Sequence, residues 1–246
     1  MSNKKIDKRH HYFLAIDTET CGSLEKPLVY DLGIRVMDSR GGVYEEASLV
    51  LHDIYCGERE LMKTAYYADK LPQYETGLRN GTWKMVKVKT AFKVIRDWME
   101  DYGITEVIAY NTSFDRRALD NTIRHATKYR HFFPKDTEFL DVWNMCCSTL
   151  YQRKDFYEMA HRLSWESPAG NVRTNVEVGY SYLTGVEGYQ ECHTALEDVK
   201  IEAELFLACL KAKVKHEDKY IVANPWRKPQ PGWNKYKEKN SSGEEG

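Results

Sequence analysis

The N-terminal part of the chain is patterned like the strands of a sheet. Residues 12–16 form a continuous apolar run without alternation, which is typical of a strand buried on both faces. Apolar residues then alternate with polar or small ones over 32–36, a Ser-Arg-Gly-Gly turn follows at 39–42, and 43–51 continues in extended form. The pattern predicts a buried strand followed by a β-hairpin.

Helical spacing dominates the rest of the chain. Apolar residues recur at helical spacing over 88–99 until Gly103, and again over 194–210, which is the longest predicted helix. The elements predicted between them are strands at 107–110 and 139–143 and helices at 113–129 and from 174 to Gly185. Three strands followed by strands alternating with helices indicate a mixed sheet covered by helices, an α/β architecture.

Two segments have a weaker pattern. The segment 54–90 predicts a helix near 58–69 and then a loop with one proline and two glycines. Beyond Ala223, prolines and the closing Ser-Ser-Gly-Glu-Glu-Gly predict a tail with little core of its own. We therefore predict one domain over 1–212, with an insertion around 54–90, and a basic C-terminal tail over 213–246.

Charge is distributed unevenly, although the net charge is near zero. Residues 1–210 carry 27 basic and 32 acidic residues, whereas residues 211–246 carry 9 and 5. The acidic body fits a carboxylate metal site, and the basic tail fits either an anion-binding segment or an ordinary solvated one. Overall charge therefore argues against unspecific binding of nucleic acid, but a local basic track is not excluded.

The chain shows no sign of export or membrane insertion. No apolar stretch approaches the length of a membrane span, and residues 1–9 are polar with no apolar segment behind them. Six cysteines occur without a CxxC pair, which argues against a zinc site or a disulfide framework. We expect a cytoplasmic protein with reduced thiols and no membrane partner.

Two carboxylates end the first predicted strand. Asp17 and Glu19 are two residues apart, so both side chains point to one face of an extended chain. Neighbouring buried carboxylates repel each other unless a cation lies between them, and oxygen ligands favour a hard cation. The spacing alone is weak evidence, because Asp136 and Glu138 repeat it without a buried strand before them.

Asp115 is a further candidate ligand. It lies between the predicted strand at 107–110 and the next helix, in the run Asn111-Thr112-Ser113-Phe114-Asp115. A structural role is open as well. With Thr112 as N-cap, Asp115 is the third helical residue, and the two would form a pair similar to a capping box.

His193 and Asp198 complete the candidate site. Thr194 and Glu197 match a capping box, which makes Thr194 the N-cap and Asp198 the fourth residue of the last helix. His193 precedes the cap, so its side chain can approach Asp198 across the start of the helix. A histidine on a loop beside an aspartate on a helix suits a hydrolase, whereas His193 alone would be read as loop packing.

Together these residues resemble the three motifs of the DEDDh, or DnaQ-like, 3′–5′ exonucleases. The matching residues are Asp17-x-Glu19, Asn111-x-x-Phe114-Asp115 and His193-x4-Asp198. The resemblance implies an RNase H-like fold, with a five-stranded mixed sheet whose second strand is antiparallel, flanked by helices. The insertion and the tail depart from the family pattern and leave substrate and partners open.

The resemblance also implies a mechanism with two Mg²⁺ or Mn²⁺ ions. Asp17, Glu19 and Asp198 would hold one ion, and Asp17 and Asp115 would hold the second, partly through water. His193 would take the proton of the attacking water. The residues expected to contact the terminal nucleotide are Thr18, Thr20, Asn111 and Phe114. For the two threonines, a plain role at the strand end is equally open.

The expected activity is removal of 5′-mononucleotides from 3′ ends of single-stranded DNA. An RNA-specific enzyme, such as an oligoribonuclease or an RNase T-like enzyme, is the alternative, because discrimination depends on contacts to the 2′-OH. We favour DNA because the insertion and tail make the chain larger than a scavenger of short oligonucleotides needs. An inactive binding module with the same fold is a further alternative, although all five catalytic positions are present.

The tail interleaves aromatic and basic residues between 226 and 237. Stacking on bases, worth ~1–3 kcal/mol per base, and contacts to phosphates would give salt-sensitive binding of nucleic acid. The alternatives are a disordered tail and a docking segment for a partner protein.

Overall fold

A mixed sheet lies at the centre of the computed structural model, which describes residues 6–7 and 9–241. The strands are β1 Tyr12–Ser23, β2 Lys26–Asp38, β3 Val43–Leu51, β4 Lys84–Val86, β5 Glu106–Ala109 and β6 Glu138–Asp141. Their order is β4-β3-β2-β1-β5-β6. Residues 1–5, 8 and 242–246, and with them parts of the predicted polar N-terminus and of the tail, lie outside the described residues.

The second strand is the antiparallel one, as predicted. β2 pairs antiparallel with β1 and β3, whereas the pairs β3–β4, β1–β5 and β5–β6 are parallel. The sheet has six strands in the described residues, one more than predicted, because β4 from the insertion pairs with β3.

Helices cover both faces of this sheet. They are α1 His52–Tyr55, α2 Arg59–Met62, α3 Leu71–Asn80, α4 Val88–Tyr102, α5 Thr112–Ala126, α6 Val142–Ser148, α7 Lys154–Arg162, α8 Val176–Thr184, α9 Ala195–Lys211 and α10 Gln230–Ser241. Phe13 and Ala15 pack in one core with α6 to α9, and Leu14 and Ile16 pack in another with α4 and α5. The unbroken apolar run of β1 therefore reflects burial on both faces.

The N-terminus of α9 is anchored on β2. A Cβ at Gly33 would lie 2.3 Å from the backbone of Ala195, so only glycine permits this approach. The buried carboxylate of Asp31 accepts hydrogen bonds from the Ala195 N–H (3.1 Å) and the Tyr74 hydroxyl (2.7 Å). The predicted capping box does not form, since the Thr194 side chain makes no capping hydrogen bond. Asp31, from a neighbouring strand, accepts from the first N–H of the helix, and the Glu197 N–H donates to the Thr194 carbonyl (2.9 Å).

Helices also fill much of the insertion around 54–90. The helix predicted near 58–69 is reduced to α2 and a 3-10 turn at Ala68–Lys70, and the loop predicted after it is α3. Proline is tolerated in the first turn of α3. Gly77 lies inside α3 because the Trp83 ring would be 2.1 Å from a Cβ there. The loop prediction is wrong, because this glycine reflects packing instead of a turn.

The C-terminal segment packs against the domain. Trp233 in α10 is 1% exposed, and the Tyr157 hydroxyl donates to the Pro229 carbonyl (2.9 Å). Tyr220 bridges to Leu140 on the outer strand β6. In the residues described up to 241, this segment packs on the core of the domain, which the prediction of a tail with little core of its own did not anticipate. Burial of a single indole leaves no periodic pattern in the sequence.

In the part of the chain that the structure describes, no helix combines the length and apolar character needed to cross a membrane. All six cysteines are free, and four of them are buried.

Candidate active site

A cleft of about 170 Å³ opens beside the middle of β1, where β5 ends and α9 begins. β1 does not end at Asp17 and Glu19 as predicted, because its pairing with β2 continues to Ser23. The cleft is lined by eight of the nine predicted site residues: Asp17, Thr18, Glu19, Asn111, Phe114, Asp115, His193 and Asp198. The lining residues that were not predicted are Tyr67, Tyr110, Val176, Glu191 and Glu202. Thr20 does not line the cleft, and its carbonyl accepts a hydrogen bond from the Tyr66 N–H (3.4 Å). The structure thus brings the three motifs together, and their chemical roles remain predictions.

Strand β1 places side chains on both sides of the cleft. Asp17 and Glu19 continue the alternation of Phe13 and Ala15, which pack towards α9. Thr18 points the other way, towards α5, and its hydroxyl donates to the Asp115 carboxylate (2.7 Å). One strand therefore aligns acids beside α9 and fixes a further acid on α5.

Asp115 does not act as a helix cap. The N-cap of α5 is Asn111, whose backbone is left-handed with φ 62°. Thr112 is the first helical residue, and its hydroxyl donates to carbonyls in β5 and β6 (2.8 and 2.6 Å). The capping interpretation is therefore wrong, because Asp115 is turned into the cleft and held there by Thr18.

His193 lies beside Asp198 on the loop before α9. Its φ is 54°, a left-handed conformation that non-glycine residues seldom adopt and that often marks functional sites. The ring of Tyr67 stacks on the imidazole, with centroids 3.6 Å apart and planes 11° apart. Ligand atoms of Glu19, His193 and Asp198 all lie within 4.8 Å of one another. The predicted proximity of His193 and Asp198 is confirmed.

Burial and repulsion raise the pKa values of the cleft carboxyls. Burial is the larger cause and the charge of Asp198 the next, and together they raise the pKa of Glu19 to about 9. Burial and, to a smaller extent, the charge of Glu191 raise the pKa of Asp198 to about 8. Burial raises the pKa of Asp115 to about 7, against the hydrogen bond from Thr18. Since no Lys or Arg lines the cleft in the described residues, ionisation of all these groups near neutral pH would need a bound cation.

These donors fit hard divalent cations. Oδ1 of Asp198 is buried and has no hydrogen-bond partner among the described residues, which is costly for an acceptor of this kind. Burial and the charge of Glu202 raise the pKa of Asp17 well above its ordinary value. Carboxylate oxygens are the ligands that Mg²⁺ and Mn²⁺ prefer, so cations would satisfy both the unpaired oxygen and the excess acid.

Glu202 is the clearest residue that the sequence analysis missed. It lies one turn after Asp198 on the same face of α9 and is 4% exposed. Its carboxylate accepts a hydrogen bond from the Tyr110 N–H (3.0 Å). The Asp198-x3-Glu202 spacing was an available signal. Glu191 and Tyr67 come from loops, where no pattern marks them.

Removal of divalent ions is expected to make stability decrease as pH rises. With the pKa values of Glu19, Asp198 and Asp115 raised to about 9, 8 and 7, the folded state binds more protons than the unfolded chain between about pH 4 and pH 9. The free energy of unfolding therefore falls across this window. In EDTA, Tm should drop by at least about 5 °C from pH 5 to pH 9, since 1 kcal/mol shifts Tm by about 2–4 °C at this size.

The control for this measurement is addition of Mg²⁺ or Mn²⁺. The ions should raise Tm more at pH 9 than at pH 5, because ionised carboxylates bind them better. A Tm in EDTA that stays constant over this range would show that the cleft carboxyls are not perturbed in this way.

Comparison with known proteins gives matches among solved structures only. No protein-family model and no curated protein matches the chain. A structure described as a full-length 3′-exonuclease aligns with TM-score 0.54 and 13% identity, over 87% of this chain and 92% of that chain. E. coli Exonuclease I in complex with a 5cy-dT13 oligonucleotide aligns with TM-score 0.53 and 17% identity, over 83% of this chain.

A third alignment, to E. coli Exonuclease I with a dA16 oligonucleotide, has TM-score 0.51 and 18% identity over 85% of this chain. The two alignments to Exonuclease I cover 41% and 42% of its length, so this chain corresponds to less than half of that protein. At such identities the likeness shows the fold. The chain therefore has the mixed α/β, RNase H-like fold.

Proposed function

We propose that this chain is a metal-dependent 3′–5′ exonuclease of the DEDDh type. The observation that carries the proposal is the meeting of acids from three separate segments with one histidine in a single cleft. These residues are Asp17, Glu19, Asp115, Asp198 and His193. The fold supports the proposal, because the solved structures that share it are described as a 3′-exonuclease and as Exonuclease I bound to oligonucleotides.

The acids would hold two Mg²⁺ or Mn²⁺ ions, one between Asp17, Glu19 and Asp198 and one between Asp17 and Asp115. When bound, such ions stabilise the attacking and leaving oxygens of phosphodiester hydrolysis. The hydrogen bond from Thr18 fixes the Asp115 carboxylate before any ligand arrives. Prior orientation of this kind raises the affinity of a ligand set for its metal.

His193 would accept a proton from the water that attacks phosphorus. Burial lowers the pKa of His193 below its ordinary value, so the ring is neutral and able to accept a proton near pH 7. The water oxygen bonds to phosphorus, the bond from phosphorus to the 3′ oxygen breaks, and that oxygen takes up a proton. The products are a 5′-mononucleotide and a strand shortened by one nucleotide with a free 3′-OH.

The substrate we propose is the 3′ end of single-stranded DNA. The acids line a cleft of about 170 Å³, and we propose that a strand end enters it unpaired. Unpairing and unstacking a base costs a few kcal/mol, which a frayed or single-stranded end avoids. The oligonucleotides in the structures of E. coli Exonuclease I are in keeping with such a substrate.

A labelled-strand assay tests this proposal. A 5′-labelled DNA oligonucleotide should give a ladder of single-nucleotide steps with Mg²⁺ and none with EDTA, and the same strand in a blunt duplex should react more slowly. Internal cuts would indicate an endonuclease. Cleavage of RNA alone would indicate an RNA-specific exonuclease, and binding without cleavage would indicate an inactive module.

A further inference from the structure

A second cavity adjoins the cleft, and we name it the aromatic groove. It is an open groove of about 600 Å³ that shares Tyr110 and Asn111 with the cleft. The indole rings of Trp143 and Trp226 also line it. A strand that leaves the cleft past Asn111 therefore enters a space bounded by aromatic rings.

The chemistry of the aromatic groove differs from that of the cleft. Among the described residues that line it, Arg173 is the only charged one, and its side chain is exposed. The polar remainder consists of hydroxyls and amides, such as Ser167 and Asn171. Carboxylates, which crowd the cleft, are not among its lining residues. The aromatic groove thus suits flat groups with hydrogen-bonding edges, and Arg173 can pair with a phosphate beside them.

Hydrogen bonds hold the ring of Trp143 in place. Its Nε1–H donates to Thr174 Oγ1 (3.0 Å). The Tyr110 ring stacks on the indole, with centroids 6.3 Å apart and planes 25° apart. The Tyr110 hydroxyl donates to the Thr174 carbonyl, so both rings are tied to the same residue. This wall of the aromatic groove is formed before a ligand binds.

The second indole ring of the aromatic groove, that of Trp226, comes from the C-terminal segment. The buried amide of Gln230 donates to the Trp226 carbonyl (2.8 Å) and the Val172 carbonyl (3.1 Å), and accepts from the Val172 N–H (2.9 Å). The Arg227 guanidinium lies 5.3 Å from the Trp226 ring centroid. Trp226 remains partly exposed. The C-terminal segment therefore carries a ring that is fixed at its backbone and accessible to a ligand, which reduces the entropy cost of binding.

We propose that the aromatic groove binds the bases of a single nucleic-acid strand whose 3′-terminal phosphodiester lies in the cleft. The proposal rests on the exonuclease function proposed above. Aromatic side chains bind bases of any sequence through their faces. In a duplex those faces are already stacked on neighbouring bases, so the aromatic groove selects unpaired strands. Trp226 is then a specificity-determining residue for single-stranded substrates.

Two variants of Trp226 test the role of its ring. Trp226→Ala should raise KM for release of the first nucleotide from a DNA 12-mer by about 5- to 150-fold, equivalent to ~1–3 kcal/mol of lost stacking. Trp226→Phe keeps an aromatic face and should stay within about threefold of the parent. As a matched control, Tyr129→Ala removes a ring that is 49% exposed, ahead of β6 and outside both the cleft and the aromatic groove. Equal KM values for Trp226→Ala and the parent would overturn the proposal.

A second measurement changes the substrate and is made on both the unmodified protein and Trp226→Ala. Single abasic sites are placed at the second to the sixth nucleotide from the 3′ end. One position should lower kcat/KM as strongly as Trp226→Ala does, and at that position Trp226→Ala should add no further loss. Abasic strands that react like normal ones at every position would show that bases do not enter the aromatic groove.

The thymidine 5′-monophosphate p-nitrophenyl ester separates the two proposals. It carries one phosphodiester and no second base, so its hydrolysis by the parent protein reports on the cleft alone. If the parent does not hydrolyse it or any oligonucleotide, the proposed function fails. If the parent hydrolyses it and neither Trp226→Ala nor an abasic site affects longer strands, only the present inference fails.

Discussion

Replacing Asp198 with asparagine is expected to lower phosphodiester hydrolysis by at least about 10³-fold, because bound metal supplies several kcal/mol of transition-state stabilisation. Asparagine keeps the shape of the side chain and removes its charge. At pH 9, where Asp198 is ionised, the same change should raise Tm in EDTA, since the raised pKa values of Asp198 and Glu19 reflect repulsion between neighbouring carboxylates. Hydrolysis of a 5′-labelled oligonucleotide and thermal unfolding, each with and without Mg²⁺, measure both effects.

The matched control is Asp136→Asn, which changes an exposed acid outside the cleft. It should leave both rate and Tm near the parent values. If Asp198→Asn keeps more than a tenth of the parent rate, Asp198 is not a required metal ligand. If the variant unfolds at a lower temperature than the parent in EDTA, the carboxylate stabilises the fold through contacts that the cleft geometry does not reveal.

Replacing His193 is expected to lower kcat by about 10²- to 10⁴-fold, the usual contribution of a general base. Asparagine is the preferred replacement, because it tolerates the left-handed backbone that His193 adopts at φ 54°. At saturating Mg²⁺, the parent rate should fall at acid pH as the imidazole becomes protonated, and His193→Asn should lose this dependence. Metal binding, measured as the rise of Tm with Mg²⁺, should be largely retained.

His131→Asn is the control for a histidine of similar spacing. His131 also stands five residues before an aspartate, Asp136. Its side chain is 67% exposed and its Nδ1 lies 3.2 Å from Asp120, so its loss should leave kcat unchanged. An unchanged rate for His193→Asn across pH 6 to 9 would assign His193 to loop packing with Tyr67.

The acids on β1 were predictable because local geometry places them. A run of apolar residues identifies a strand buried on both faces, and an i, i+2 pair that follows the run must share one side, even though β1 continues beyond this pair to Ser23. An argument from local helix geometry also located His193 beside Asp198, although the capping box on which it rested does not form. The conclusion held because α9 still begins after Thr194, with the Ala195 N–H donating to Asp31 in β2.

The parts that could not be predicted depend on contacts between distant segments. Tyr67 reaches His193 from the insertion, where the sequence shows no periodicity. Trp226 and Trp233 are seven residues apart in the C-terminal segment, yet one lines the aromatic groove and the other is buried. Composition could predict base-binding aromatics in this segment, but only tertiary packing decides which ring remains accessible.

The C-terminal segment also covers an edge that could otherwise pair with a second molecule. β6 is an outer strand, and unpaired backbone groups on such a strand are a template for edge-to-edge aggregation. The bridge from Tyr220 to Leu140 occupies part of this edge. The ring of Trp233 packs against the ring of Tyr157 in α7. A chain cut after Lys213 would expose both surfaces and self-associate, so weak binding of nucleic acid by such a fragment would report aggregation instead of a lost contact.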